Sequence, residues 1–190
     1  SGATDIGSIR YGHPNNDLKF VTNSADQWTL NSSGNWLPAA TDHGIYLGVN
    51  SATASNLLND YEFGTFTPAF GGSPSGSYTY QFGNYTKINK MVFFTVFLQG
   101  NFSGGSGNSL ITGLPFTPSD GSDNVYYEPV TIGFTYGLGE TLYQGFINQN
   151  STELFLLKEP SSGARVHSTI SSLVSSDMRI SVSGFYNTAA

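Results

Sequence analysis

The chain has 190 residues, a net charge of −6, seven Lys and Arg in all, and no Cys. So few cations withhold the basic stripe that nucleic acid or an anionic membrane surface requires. The missing Cys removes disulfides, thiolate catalysis and Cys-based metal sites together, and fits folding in a reducing cytoplasm.

No apolar run approaches the length of a membrane span, and no basic and apolar secretion signal opens the chain. The start at Ser1-Gly2, without Met, is expected of a fragment from a longer protein. Only 11% of residues are charged, while 14% are aromatic and 23 are glycine. Gly and Asn accept positive φ, and Thr, Tyr and Phe favour pleated surfaces, so the composition suits strands joined by tight turns.

Over residues 1–58 the apolar runs are short: "LKFV" (18–21), "QWTL" (27–30), "NWLP" (35–38) and "GIYLGV" (44–49). Turn clusters separate them at 13–17, 23–26 and 31–35. This predicts hairpins and arches with too little apolar surface for a core of their own, a segment that borrows its core from copies of itself. At 59–70, "NDYEFGTFTPAF", the character changes. Pro68 lacks a donor and suits the first residues of an edge strand, Gly64 permits a bend, and Phe66 and Phe70 can seat the chain on a core.

From there alternation of period two marks strands at "SYTYQF" (77–82), "VTIGFTY" (130–136) and "MRISVSGFY" (178–186). "TLYQGFI" (141–147) and "STELFLL" (151–157) flank "NQN" and predict a hairpin. The strand "MVFFTVFLQ" (91–99) is apolar on both faces: Val92, Phe94, Val96 and Leu98 on one, Met91, Phe93 and Phe97 on the other. One face serves the core, and the other is expected to meet a second sheet or a neighbouring subunit. Residues 51–61 can give one helical turn, and 165–176 predict a loop with a short helical turn, because Ser and Thr weaken the helical spacing there. The fold expected is all-β, a fibrous stem over 1–58 and an antiparallel β-sandwich knob over 59–190.

No enzyme is expected. His13, His43 and His167 stand in no metal-ligand spacing, and "GGSGNS" (104–109) misses the nucleophile elbow. Asp120, Asp123, Glu128 and Glu140 are scattered among turns, with nothing to converge them on a sugar. "DGSDN" (120–124) opens like a calcium loop, but Thr131 stands where the closing Glu belongs. Neither metal nor cofactor is expected. The four Asn-x-Ser/Thr sequons, at Asn31, Asn84, Asn101 and Asn150, fit chance in a chain this rich in Asn and Ser.

Binding is the better prospect. Sugar faces stack on aromatic rings, and their hydroxyls pair with Asn, Asp and Gln. The segment 119–129 offers Asp120, Asp123, Asn124, Tyr126 and Tyr127, residues 99–109 offer Asn101 and Phe102, and the hairpin tip offers Asn148 and Asn150.

A resemblance adds to this reading. "NLLNDYEFGTFTPAF" (56–70) resembles a junction met in phage tail fibres and minor tail proteins, "Leu-Asp-Asp-Tyr-Glu-Glu-Gly-Thr-Trp-Thr-Pro", which leads from a stem into a terminal β-domain. Leu58, Asp60, Tyr61, Glu62, Gly64, Thr65, Thr67 and Pro68 match it, Phe66 stands in for Trp, and Asn59 and Phe63 depart from it. "GNYTKINKMVFF" (83–94), with Asn89 in place of Gly, "ITGLPFTPS" (111–119), "RISVSGFYNTAA" (179–190) and the stem-like "WTLNSSGNWLPA" (28–39) are similar to further segments of that family, in the same order.

The resemblance implies a viral protein of the phage tail, assembled in the bacterial cytoplasm. It would be a homotrimer joined to the rest of a fibre, with a jelly-roll-like knob that binds a host-surface glycan or other receptor. Trp28, Trp36, Phe93 and Phe97 are then candidates for the trimer interface. The alternatives are a structural trimerisation cap and an accessory domain of a polysaccharide depolymerase.

Overall fold

The computed structural model describes residues 7–120, 127–158 and 166–188, and the fold is all-β. The chain divides into two compact units, residues 1–61 and 62–190.

In the first unit β1 (Ser8–Gly12), β2 (Asp17–Thr22), β3 (Ala25–Leu30) and β4 (Trp36–Pro38) form an antiparallel meander in chain order. β2 and β3 are joined by Asn23 and Ser24 alone, both at positive φ (51° and 60°), the backbone that a two-residue hairpin needs. The Asn31 side chain accepts the amides of Ser33 (3.0 Å) and Asn35 (2.9 Å) and so shapes the next turn. β5 (Ile45–Tyr46) pairs with β6 (Leu57–Leu58) after a 3-10 turn at Ala54–Asn56. Among the described residues of this unit Val21 is the one buried apolar side chain, while Ile9, Tyr11, Trp36, Leu37, Ile45 and Leu47 are exposed. The scarcity of core read from the short runs is real.

The second unit is a ten-stranded sheet. Its path runs β7 (Tyr61–Phe66), β9 (Ser75–Ile88), β10 (Met91–Ser103), β16 (Met178–Asn187), β12 (Tyr127–Tyr136), β13 (Leu142–Asn148), β14 (Leu154–Lys158), β11 (Leu110–Thr112) and β8 (Ala69–Phe70), with β15 (Val166–His167) beside β14. β7 and β8 lie at opposite ends of this path, yet only Thr67 and Pro68 separate them. The sheet must therefore curl until its ends meet.

It bends between β12 and β13, which pair only from Tyr127–Asn148 to Val130–Gly145. Beyond that point β12 stays with β16 and β13 with β14. Two layers result. Val92, Phe94, Val96, Leu98, Ile180 and Val182 from one meet Ile111, Ile147, Leu154 and Leu156 from the other, and all are buried in one cluster. A single helical turn, α1 (Ile170–Leu173), adds Ile170 and Leu173 to that core, close to the short turn expected there.

The 59–70 stretch now has its physical explanation: it closes the sheet. The Gln81 amide donates to the Pro68 carbonyl (2.9 Å), the Phe70 amide donates to the Tyr78 hydroxyl (2.6 Å), and Thr112 donates to the Ala69 carbonyl (3.2 Å). Phe70 is buried and Phe66 packs against the core. Gly64 and Gly83 are required by close approach, since a Cβ would sit 2.9 Å from the Tyr85 ring and 2.6 Å from the Phe66 ring. Asp60 precedes β7 and is half-buried; Tyr61 is exposed. Asn89 takes φ 50° in the β9–β10 turn, a conformation in which Asn serves next best to Gly.

Candidate functional site

Part of the expected receptor surface assembles at one end of the large sheet. Tyr127 opens β12 directly opposite Asn148. Its ring is 59% exposed and meets Phe146 edge-on at 5.3 Å. Phe146 stacks on its register partner Phe155 (5.1 Å, 7° between planes), and His167 meets both edge-on at 5.6 and 6.1 Å. Alternation along β12, β13, β14 and β15 puts these rings on the sheet's outer face, as a strip leading to the hairpin tip. At that tip the Asn148 side chain accepts the Gln149 amide (3.1 Å), and Asn150 sits exposed at φ 54°. Asp120 is exposed near the end of its loop, whereas Asp123, Asn124 and Tyr126 lie outside the described residues.

Asn101 and Phe102 do not join this group. The loop expected from 99 starts only after Ser103, because β9 and β10 continue as one long hairpin. Phe102, 7% exposed, is a core residue whose ring lies 4.7 Å from Tyr78 and 5.5 Å from Phe70. Alternation along the extended strand turns it inward, so it is no receptor contact. Asn101 is exposed, but its side-chain oxygen accepts the Asp177 amide (2.7 Å) and fixes the turn before β16. Val130 is level with Gly184 and Phe94, which puts Tyr127 at the Met91 end of β10 and Asn101 at the other end, roughly 30 Å away.

The outer face between these ends is aromatic. One row across the strands runs Phe82, Phe97, Ser181, Phe134, and the next runs Tyr80, Gln99, Arg179, Tyr136. The Arg179 guanidinium lies 5.0 Å from the Tyr136 ring centre and pairs with Asp177 at 3.2 Å. Phe93 lies beside Phe185 at 6.2 Å. Met91, Phe93 and Phe97 thus remain partly or largely exposed opposite the buried Val92 face, and among the described residues no second sheet covers them. Phe63 on β7 is also exposed.

In the first unit, Trp28, Trp36, Phe20, Ile45 and Tyr46 line an apolar hollow of about 650 Å³, with Phe20 and Trp36 at 5.1 Å. A charged trio borders the meander: Asp26 takes hydrogen bonds from Lys19 (2.8 Å) and from Arg10. The Lys19 hydrogen bond holds the Asp26 carboxyl below its ordinary range, and the same bond raises the Lys19 ammonium.

Two of the carboxylates weighed for catalysis have structural partners. Glu128 accepts the Asn187 amide at 3.3 Å. Glu140 takes hydrogen bonds from Lys158 (3.0 Å) and Ser168 (2.7 Å), and Ser168 in turn accepts the buried Ser109 hydroxyl at 2.9 Å. Sequence reasoning missed this node, for no local pattern announces partners 28 and 59 residues apart.

What fold and surface define is a curled antiparallel β-sandwich with an aromatic, charge-poor outer face. No family model and no curated protein matches the chain. Among solved structures it is similar to the crystal structure of the Dettilon tailspike protein, with a TM-score of 0.52 and 22% identity. The likeness covers 67% of this chain and 24% of the tailspike chain, and at that identity it speaks for the fold alone.

Proposed function

We propose that this chain is part of a phage tail fibre or tailspike and attaches the virion to its host by binding a surface glycan. The observation that carries the reading is the fold it has in common with a tailspike protein. Surface chemistry agrees with it. Tyr127 offers a ring, Asn148 and Asn150 offer amides, and Asp120 offers a carboxylate toward one end of the sheet. Such a set suits a sugar, which presents an apolar face and a rim of hydroxyls. The chain acts as a binder and not as an enzyme.

The working form is a homotrimer. The first unit buries one apolar side chain among its described residues and leaves the hollow at Trp28 and Trp36 open, so partner chains would supply the missing core. Phe93 and Phe97 offer a second apolar face to a neighbouring copy. Three weak sites on one fibre raise apparent affinity through effective concentration. A second reading, an accessory domain of a depolymerase spike, is favoured by one fact: the likeness covers only 24% of the tailspike chain.

Light scattering of the purified chain should give three times 20.3 kDa. A monomer at micromolar concentration rejects the trimer. An oligosaccharide array should give hits that Tyr127→Ala with Asn148→Ala weakens while the trimer persists, and an array blank for the wild-type protein rejects glycan attachment. Shortening of a host polysaccharide by the chain alone would overturn the non-enzymatic reading.

A further inference from the structure

Where the sheet bends, β12 and β13 part and leave an open cleft of about 430 Å³. Its position is set by the ladder. Past Val130–Gly145 the two strands no longer pair, although each keeps its partner on the far side. Among the described residues the near edge of β12 from Thr131 to Tyr136 therefore carries no ladder, so its backbone faces the cleft.

Both walls are irregular at this level. β12 shifts register between Ile132 and Phe134, with Gly133 as the extra residue, and β13 shifts between Leu142 and Gln144, with Tyr143 as the extra residue. Bulges re-aim side chains and recur beside binding sites. Here they leave Phe134 48% exposed and Tyr143 62% exposed, one ring on each wall. Thr131, Thr135 and Gln144 complete the polar lining, and among the described residues no Lys, Arg, His, Asp or Glu is part of it.

We propose that this cleft is a binding site for a neutral oligosaccharide. Phe134 and Tyr143 supply the ring faces, and Thr131, Gln144 and the open backbone edge supply hydrogen bonds to hydroxyls. The nearest cations, Arg179 beside Tyr136 and Lys158 beside Leu142, are each paired with a carboxylate, Asp177 and Glu140. A neutral sugar therefore suits the cleft better than an acidic one, which loses hydration on entering. Two exposed rings favour a sugar over an added peptide strand, which backbone hydrogen bonds alone would hold. The proposal rests on the glycan-binding reading above and moves the principal contact from the Tyr127 end to the cleft.

The intact chain is tested on an array of neutral oligosaccharides (hexoses and N-acetylhexosamines) and acidic ones (uronic-acid and sialic-acid bearing). Tyr143→Ala, Gln144→Ala and, separately, Tyr127→Ala are compared. Tyr143 is exposed, so its removal leaves the fold intact, which an unchanged melting curve verifies. Expected are neutral hits that Tyr143→Ala weakens about tenfold and Tyr127→Ala weakens less. Neutral hits lost in Tyr127→Ala and kept in Tyr143→Ala would overturn the cleft and leave glycan attachment standing. Acidic hits alone, or a peptide library bound in place of sugars, would overturn the cleft as assigned. A blank array would overturn both.

Discussion

The Tyr186 hydroxyl is the sharpest test of how the two layers are held together. Tyr186 is fully buried on β16, and its hydroxyl accepts the Phe116 amide (3.2 Å) and donates to the Phe116 carbonyl (3.1 Å). Tyr186→Phe keeps the ring and strands both backbone groups. Leaving such groups unpaired costs about 1–3 kcal/mol, which for a domain of this size lowers Tm by roughly 3–10 °C. Burial also raises the phenol above its ordinary pKa of 10.0. The unfolded chain therefore ionises first as pH rises, and the stabilising contribution, intact below about pH 10, is lost progressively above it. That loss has a slope of about 1.4 kcal/mol per pH unit. Urea titrations of both proteins from neutral to strongly alkaline pH measure both effects. The variant should be weaker at neutral pH and should lack part of the alkaline slope. Equal stability at neutral pH together with an unchanged slope would refute the bridge.

Gly83→Ala drives a Cβ against the Phe66 ring and should cost about 1–3 kcal/mol in urea unfolding, with an unchanged m-value. Ser168→Ala breaks the chain from Ser109 to Glu140 and strands a buried hydroxyl, so a loss of about 1–3 kcal/mol is expected by thermal melting. Asp26 is held below its ordinary 3.8, so its contribution is present above that value and disappears as pH falls below it. The melting difference between wild type and Asp26→Asn should therefore vanish in strong acid, and added salt should shrink it at neutral pH, because these ion pairs are open to solvent.

Local patterns carried much of the fold. Alternation in 178–186 gave a strand with the expected faces, and Val92, Phe94, Val96 and Leu98 fell inward as read. In 130–136 it held only to Ile132, because the bulge at Gly133 turns Phe134 and Tyr136 outward. Phe102 was misplaced because Gly100 and the glycines after it look like a loop. In the fold, Gly100 sits at a bulge opposite Tyr78, and the strand continues past it. The cleft was illegible for a related reason. "VTIGFTY" and "TLYQGFI" each read as a regular strand, and a bulge at Gly133 or Tyr143 shows only once each strand has a partner on its far side.

Sheet closure also bears on where recognition resides. Of the residues that carry the resemblance to tail fibres, Gly64, Phe66 and Pro68 are consumed by the seam: one by close approach, one by packing and one by its carbonyl bond to Gln81. Residues so committed cannot vary freely, and they say nothing about which ligand is bound. Tyr143, Phe134 and Gln144 have no such duty in the core cluster. They stand where the ladder has already opened, so replacing them costs the fold little. A motif that holds the seam therefore speaks for architecture, while a cleft opened by two bulges shows only in three dimensions.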